Sequence, residues 1–322
     1  MGENYTFAVA RIRVLEKGLL TDADIAQMAS MKDDEAVVSF LTDRGWGDEN
    51  SGKDASKVLA AESVKLDRLI RSLGVSDDIM NILSIPQVYH NLKTAVKDIA
   101  TAGDSFSVYY DIPGAEAKFF LDILRDKKWK DLPENMRLPA ETALDAMLKN
   151  HDGQLSDVII DRACLDEMGA VAKKTRYKIL KNYLQKRILV TDVKIAVRGA
   201  RTGKSFDFIK KALSPVKGID TDNLARAASE SDEALINYLS EHSMAEGADA
   251  LKVSITEFEK WCDDSITESL RPEKMNPFTI GPIVAYYLGR TNEIKAVRVL
   301  ITAKKNGFPE EAVKERARRM YG

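Results

Sequence analysis

Apolar residues recur along this chain at spacings of three and four. Leu66, Leu69, Ile70 and Leu73 fall on one side of a pattern running from near Ser56 to Gly74. The same spacing returns in Ile179, Leu180, Tyr183 and Leu184, and in Ile294, Val297, Leu300 and Ile301. A period near 3.6 places such residues on one helical face, so each stretch predicts an amphipathic helix. Strand-like alternation is scarce. Its best candidate, Arg187–Thr191, is too short to support a sheet alone. Prolines stand at Pro133 and Pro139 and again at Pro272, Pro277 and Pro282, with none from Ala140 to Ser214. Because proline removes a helical donor and clashes with the preceding turn, this predicts long uninterrupted helices between defined turns. The expected class is all-α.

The pattern also repeats. Asn91–Thr101 (NLKTAVKDIAT), Asp192–Thr202 (DVKIAVRGART) and Asn292–Thr302 (NEIKAVRVLIT) align at a spacing of about 100 residues. In register are Ala95, Ala196 and Ala296; Val96, Val197 and Val297; Lys97, Arg198 and Arg298; and Thr101, Thr202 and Thr302. Asn91, Asp192 and Asn292 stand four positions before each alanine, and their side chains suit N-caps of one helix started three times. A second element, Gly18–Asp22 leading to Asp34–Leu41, resembles Gly218–Asp222 leading to Asp232–Leu239. Each reads as two short helices joined by a turn. The middle copy is expected, in diverged form, near Leu138–Leu148. The chain thus divides into three diverged helical repeats, residues 1–104, 105–206 and 207–322.

Composition narrows the function. The chain has 322 residues, 44% hydrophobic, with 48 basic against 50 acidic side chains and a net charge of -2. That balance argues against a nucleic-acid binder, whose affinity rests on excess positive charge. Cys164 and Cys262 lie far apart without metal-ligand spacing, and His90, His151 and His242 are isolated. The first residues carry Arg11, Arg13, Glu16 and Lys17 through their apolar stretch, unlike a signal peptide, and no run is long and uncharged enough to span a bilayer. Locally the charge is uneven. Lys173, Lys174, Arg176, Lys178, Lys181, Lys186 and Arg187 form a stretch with no acidic residue, whereas acids outnumber bases from Asp220 to Glu268. These are either ordinary solvated faces or docking surfaces of opposite sign.

No motif carries catalytic chemistry. Gly199–Ser205 (GARTGKS) looks like a phosphate loop but has three residues between its glycines where four are needed, and Arg198 stands where the first glycine should be. Gly203 reads better as the end of a helix, with Lys204 beside its free carbonyls. Asp33/Asp34 and Asp263/Asp264 are adjacent, so on a helix they diverge by about 100° and are expected to be solvated. Tyr109, Tyr110, Tyr286 and Tyr287 read as packing aromatics.

The last quarter carries a recognisable pattern: Gly281–Arg290 (GPIVAYYLGR), Asn292–Arg298, and Thr302–Glu311 (TAKKNGFPEE). It resembles the C subunit of bacterial and archaeal A/V-type ATPases, equivalent to the d subunit of eukaryotic vacuolar ATPases. Tyr5, Ala10, Arg11, Arg13, Glu16, Leu19 and Leu20 look like that family's opening helix, and Tyr89–Lys93 like its first repeat terminus. The resemblance implies a pseudo-threefold helical funnel on the cytoplasmic face of the membrane. Its implied partners are the proteolipid rotor ring and the central stalk subunits. It implies no cofactor and no catalytic residue. The departures are Lys97, where the other two copies carry arginine, and Gly199 and Gly203, which loosen the second copy. Lys97, Arg198 and Arg298 are candidates for a ring of positive charge facing partners inside the funnel; the alternative is that each pairs with a carboxylate of its own repeat. Lys314, Arg316, Arg318 and Arg319 could approach anionic headgroups or form a solvated helix end. A generic helical-repeat adaptor and, more distantly, a nucleotide-dependent enzyme are the rival readings.

Overall fold

The computed structural model describes residues 5–103, 109–315 and 317–322, and no strand occurs among them. The elements are α1 (Thr6–Glu16), α2 (Asp22–Ser30), α3 (Asp34–Asp43), α4 (Ala55–Ser72), α5 (Asp77–Thr101), α6 (Ala117–Asp126), α7 (Glu134–Asn150) and α8 (Gly153–Lys174). They continue with α9 (Lys178–Arg201), α10 (Phe206–Ala212), α11 (Thr221–Glu230), α12 (Asp232–Glu241), α13 (Ala245–Val253), α14 (Ile255–Leu270), α15 (Gly281–Lys305) and α16 (Glu310–Glu315). Single 3-10 turns cover Trp129–Asp131 and Arg271–Met275. The chain is therefore all-α, and the proline-free middle does yield two long helices, α8 and α9.

Packing gathers the chain into two compact units. One holds residues 1–76, 177–183 and 239–322; the other holds 77–176 and 184–238. Sequence similarity divides the chain in three, whereas packing records which segments share a core.

In the first unit, Leu20, Ile25, Met28, Val37, Val38 and Leu41 pack with Trp46, Val58 and Leu59 and with Ile294, Val297, Leu300 and Ile301 of α15. Burying so much apolar surface is the main force holding α15 against α2, α3 and α4. The short helices start at defined caps. Thr21 and Asp24 form a reciprocal capping box at α2, Asp33 accepts from the Ala36 N–H at 2.9 Å, and Asp54 caps α4. Gly289 is needed for close approach: a Cβ there would lie 2.7 Å from Cβ and Cγ of Tyr321.

In the second unit, α5 packs on α6, α7 and α8, and α7 pairs with α8. Ile79, Leu83, Leu92 and Val96 of α5 are buried, as are Phe120, Leu124, Leu144, Ile160 and Met168. The α7–α8 turn is made by His151 in the left-handed region (φ 52°) followed by Asp152, whose carboxylate accepts the Leu155 N–H at 2.8 Å. The short-helix pair read at 218–239 is present as α11 and α12, and its relative at 18–41 as α2 and α3.

Three expectations are corrected. Arg187–Thr191 lies inside α9, where Ile188 and Val190 are buried, so packing overrides β-branched propensity. Leu138–Leu148 lies within the single helix α7 instead of forming two short helices. Asn91, Asp192 and Asn292 are not N-caps; each sits in mid-helix, on α5, α9 and α15.

Candidate functional site

The misread caps have a different job. Asn91 is fully buried, and its amide donates to the carbonyls of Tyr110 and Ala115, both at 2.8 Å, while its oxygen accepts the Tyr110 N–H at 2.8 Å. Asp192, also fully buried, accepts the Ser214 N–H at 3.0 Å. Asn292 reaches the Arg319 carbonyl at 3.4 Å. All three aligned side chains thus fasten a segment that follows their own helix, 19 to 27 residues downstream. Peptide groups with no helix partner of their own are satisfied this way.

The three candidate cations are placed differently from one another. On α5, Lys97 lies 2.9 Å from Asp157 of α8, and one turn earlier Lys93 lies 2.6 Å from Asp161. The two pairs form an antiparallel clasp between α5 and α8. Lys97 therefore does pair with a carboxylate, though one outside its own repeat. Arg198 on α9 and Arg298 on α15 are exposed. Lys97 and Arg198 belong to the second unit and Arg298 to the first.

The tail is not a free basic end. Arg318 pairs with Asp263 at 2.8 Å and Lys314 with Glu310 at 2.7 Å, and the Arg319 N–H donates to Asp264 at 2.7 Å. Arg316 lies outside the described residues. Asp264 is consequently buried, against the solvated position expected from its adjacency to Asp263, and burial raises its pKa despite the Arg319 N–H. The phosphate-loop look-alike is a helix terminus, as its spacing implied. Gly203 takes φ 63°, its N–H bonds the Ala200 carbonyl at 3.1 Å, and the Lys204 N–H bonds the Gly199 carbonyl at 2.9 Å. That paired arrangement closes α9 on its own last carbonyls.

Other chemistry is scarce. No cluster of three or more metal-capable side chains occurs among the described residues. No helix among them is long and apolar enough to cross a membrane. Cys164 has its thiol pushed up to about 12 by burial, which removes it as a nucleophile. What the first unit does offer is exposed apolar surface. Phe7 and Val14 point outward from α1, and Met275 and Phe278 from the turn before α15, with Phe7 80% and Met275 82% exposed. Arg13 links the two regions by donating to the Lys274 carbonyl.

Residues 8–316 match the model of the ATP synthase (C/AC39) subunit family. The chain belongs to this family. Among similar proteins is the C subunit of the V-type sodium ATPase of Enterococcus hirae, 23% identical over 280 residues, which span 84% of this chain and 83% of that protein. Another is the C subunit of the A-type ATP synthase of Methanothermobacter thermautotrophicus, 25% identical over 236 residues, 66% of this chain and 54% of that protein.

The stretch that carried the family resemblance, Gly281–Arg290, ends in a buried ionic centre that sequence reading missed. Arg290 bonds Glu293 at 2.6 Å and also Glu62 of α4, and its guanidinium stacks 4.1 Å over the Trp46 ring. Glu293 accepts the Leu20 N–H, while Glu62 accepts the Gly47 N–H at 2.9 Å and pairs with Lys65 at 2.8 Å. Burial works against the charge on Arg290, but the two carboxylates outweigh it and raise its pKa. This centre ties two loops and two helices together. One signal was available: Arg290 and Glu293 stand at i, i+3 spacing just after the apolar run Ile283–Leu288.

Proposed function

We propose that this chain is a non-catalytic coupling subunit of a rotary A/V-type ATPase. It seats the central stalk on the proteolipid rotor ring at the cytoplasmic face of the membrane and transmits torque between them. The observation that carries this reading is family membership across residues 8–316, with relatives that are the C subunits of a V-type and of an A-type enzyme. The chemistry is consistent with it. A torque-bearing spacer needs stiffness and docking surfaces, and both are supported by the buried ionic centre and by the apolar residues Phe7, Val14, Met275 and Phe278.

The pseudo-threefold funnel belongs to the same proposal. Its support is that α5, α9 and α15 have 25, 24 and 25 residues and each carries, at the aligned position, a side chain that fastens a downstream segment. Arg198 and Arg298 are proposed to meet acidic groups of the stalk. Lys97, committed to the α5–α8 clasp, makes the weakest member of that set.

The test is co-migration of the purified chain with detergent-solubilised rotor ring and with central-stalk subunits on size exclusion. A complex with each is expected. Replacing Met275 and Phe278 with serine should weaken ring binding at least tenfold, about 1.4 kcal/mol. Reversing the charge of Arg198 and Arg298 should flatten the salt dependence of stalk binding. Elution as a lone monomer at low and moderate salt would favour a generic helical adaptor instead.

A further inference from the structure

Asp192 is the odd member of an otherwise amide set. At the two aligned positions, Asn91 and Asn292 use a neutral amide to hold a downstream segment. Asp192 occupies the same place with an acid of the same shape. It is 0% exposed; Oδ1 accepts the Ser214 N–H, and Oδ2 is buried with no hydrogen-bond partner among the described residues. An ionised Oδ2 in that position would be a desolvated charge without compensation.

The neighbouring charges do not supply that compensation. Among the described residues, the charged groups acting on Asp192 are Arg162 and Asp166, both of α8. Arg162 Nε lies 2.8 Å from both oxygens of Asp166, and Arg162 also donates to the Leu213 carbonyl. The Ser214 hydroxyl donates to Asp166 at 2.6 Å. Arg162 is thus matched by Asp166, and Ser214 is held from two sides: its N–H by Asp192, its hydroxyl by Asp166. Burial pushes Asp192 up to about 8; the Ser214 N–H and Arg162 act against this, and Asp166 adds to it.

We propose that Asp192 is a neutral carboxylic acid in the folded chain, standing in for the amide of the aligned positions, and that its ionisation in mild alkali loosens Leu213–Ser214 and the connection between α10 and α11. The loosening has two causes. A charged Asp192 repels Asp166 across Ser214, and its oxygen without a partner requires water that only an opened connection admits. The acid thereby makes this fastening dependent on pH, where Asn91 and Asn292 make theirs independent of it.

The sign follows from linkage. The folded-state pKa lies above the ordinary carboxyl value of about 3.9, so the folded state holds this proton more tightly than the unfolded one. The associated stability is complete below about pH 4 and is lost as pH rises through about 8.

The experiment is amide hydrogen exchange across residues 206–220 in the full chain between pH 6 and 9, corrected for base catalysis, with thermal unfolding of wild type and Asp192→Asn. For wild type, exchange in this segment should accelerate roughly tenfold per pH unit until the carboxyl ionises without opening. Asp192→Asn should abolish that acceleration. Its melting temperature should exceed that of wild type by about 5 °C or more at pH 8.5, with the difference closing toward pH 5. Protection at 206–220 that is flat with pH in wild type would overturn the proposal, and so would a wild-type-to-variant difference equal at pH 5 and 8.5. Should Asp192→Asn fail to fold, the wild-type exchange series decides alone.

Discussion

One buried site in each unit shows two opposite ways of holding ionisable groups. In the first, Arg290 is enclosed by Glu62 and Glu293, Lys65 offsets the extra acid, and the remaining acceptors take the N–H groups of Leu20 and Gly47. Every charge there has a partner: burial raises the Glu293 pKa, and Arg290 and the Leu20 N–H act against that rise. In the second unit, Asp192 meets one N–H and no cation of its own, and the least costly state is the neutral acid. Burial alone therefore does not decide whether a carboxyl keeps its proton. The number of cations and donors aimed at it does.

That contrast can be broken most forcefully at Arg290. Arg290→Met would leave buried Glu293 with no cation and Glu62 with Lys65 alone, and should cost about 3–5 kcal/mol in urea unfolding, with much of the loss recovered in acid, where the carboxyls protonate. A cost under about 1 kcal/mol would mean that the centre opens to water. Asn91→Ala comes next. It removes three hydrogen bonds to residues 110 and 115 and should destabilise by about 2–3 kcal/mol at any pH, unlike changes at Asp192. Lys97→Ala should have the smallest effect, below about 1 kcal/mol and weakened by salt, because Lys97 and Asp157 are both partly solvated.

Much of this architecture was legible because helix period and proline placement are local signals. The end of α9 at Gly203 and the pairs α2–α3 and α11–α12 follow directly from spacing and turn residues. The aligned Asn91, Asp192 and Asn292 were seen, but their role was misread. A short polar side chain before an apolar run looks the same whether it caps its own helix or holds a distant segment. What distinguishes them is that α5, α9 and α15 each begin at least eleven residues upstream, a fact of packing. Glu62 was missed altogether, since nothing in α4 distinguishes a carboxylate meant for solvent from one meant for an arginine 228 residues away.

The central claim is mechanical coupling, and it is tested most directly by rebuilding the rotary complex in lipid vesicles with and without this chain. ATP hydrolysis and ion transport would be measured together. The account predicts that without the chain hydrolysis persists while ion transport is lost, and that adding it back restores transport in proportion to its binding. Full ion transport in its absence would contradict the coupling role.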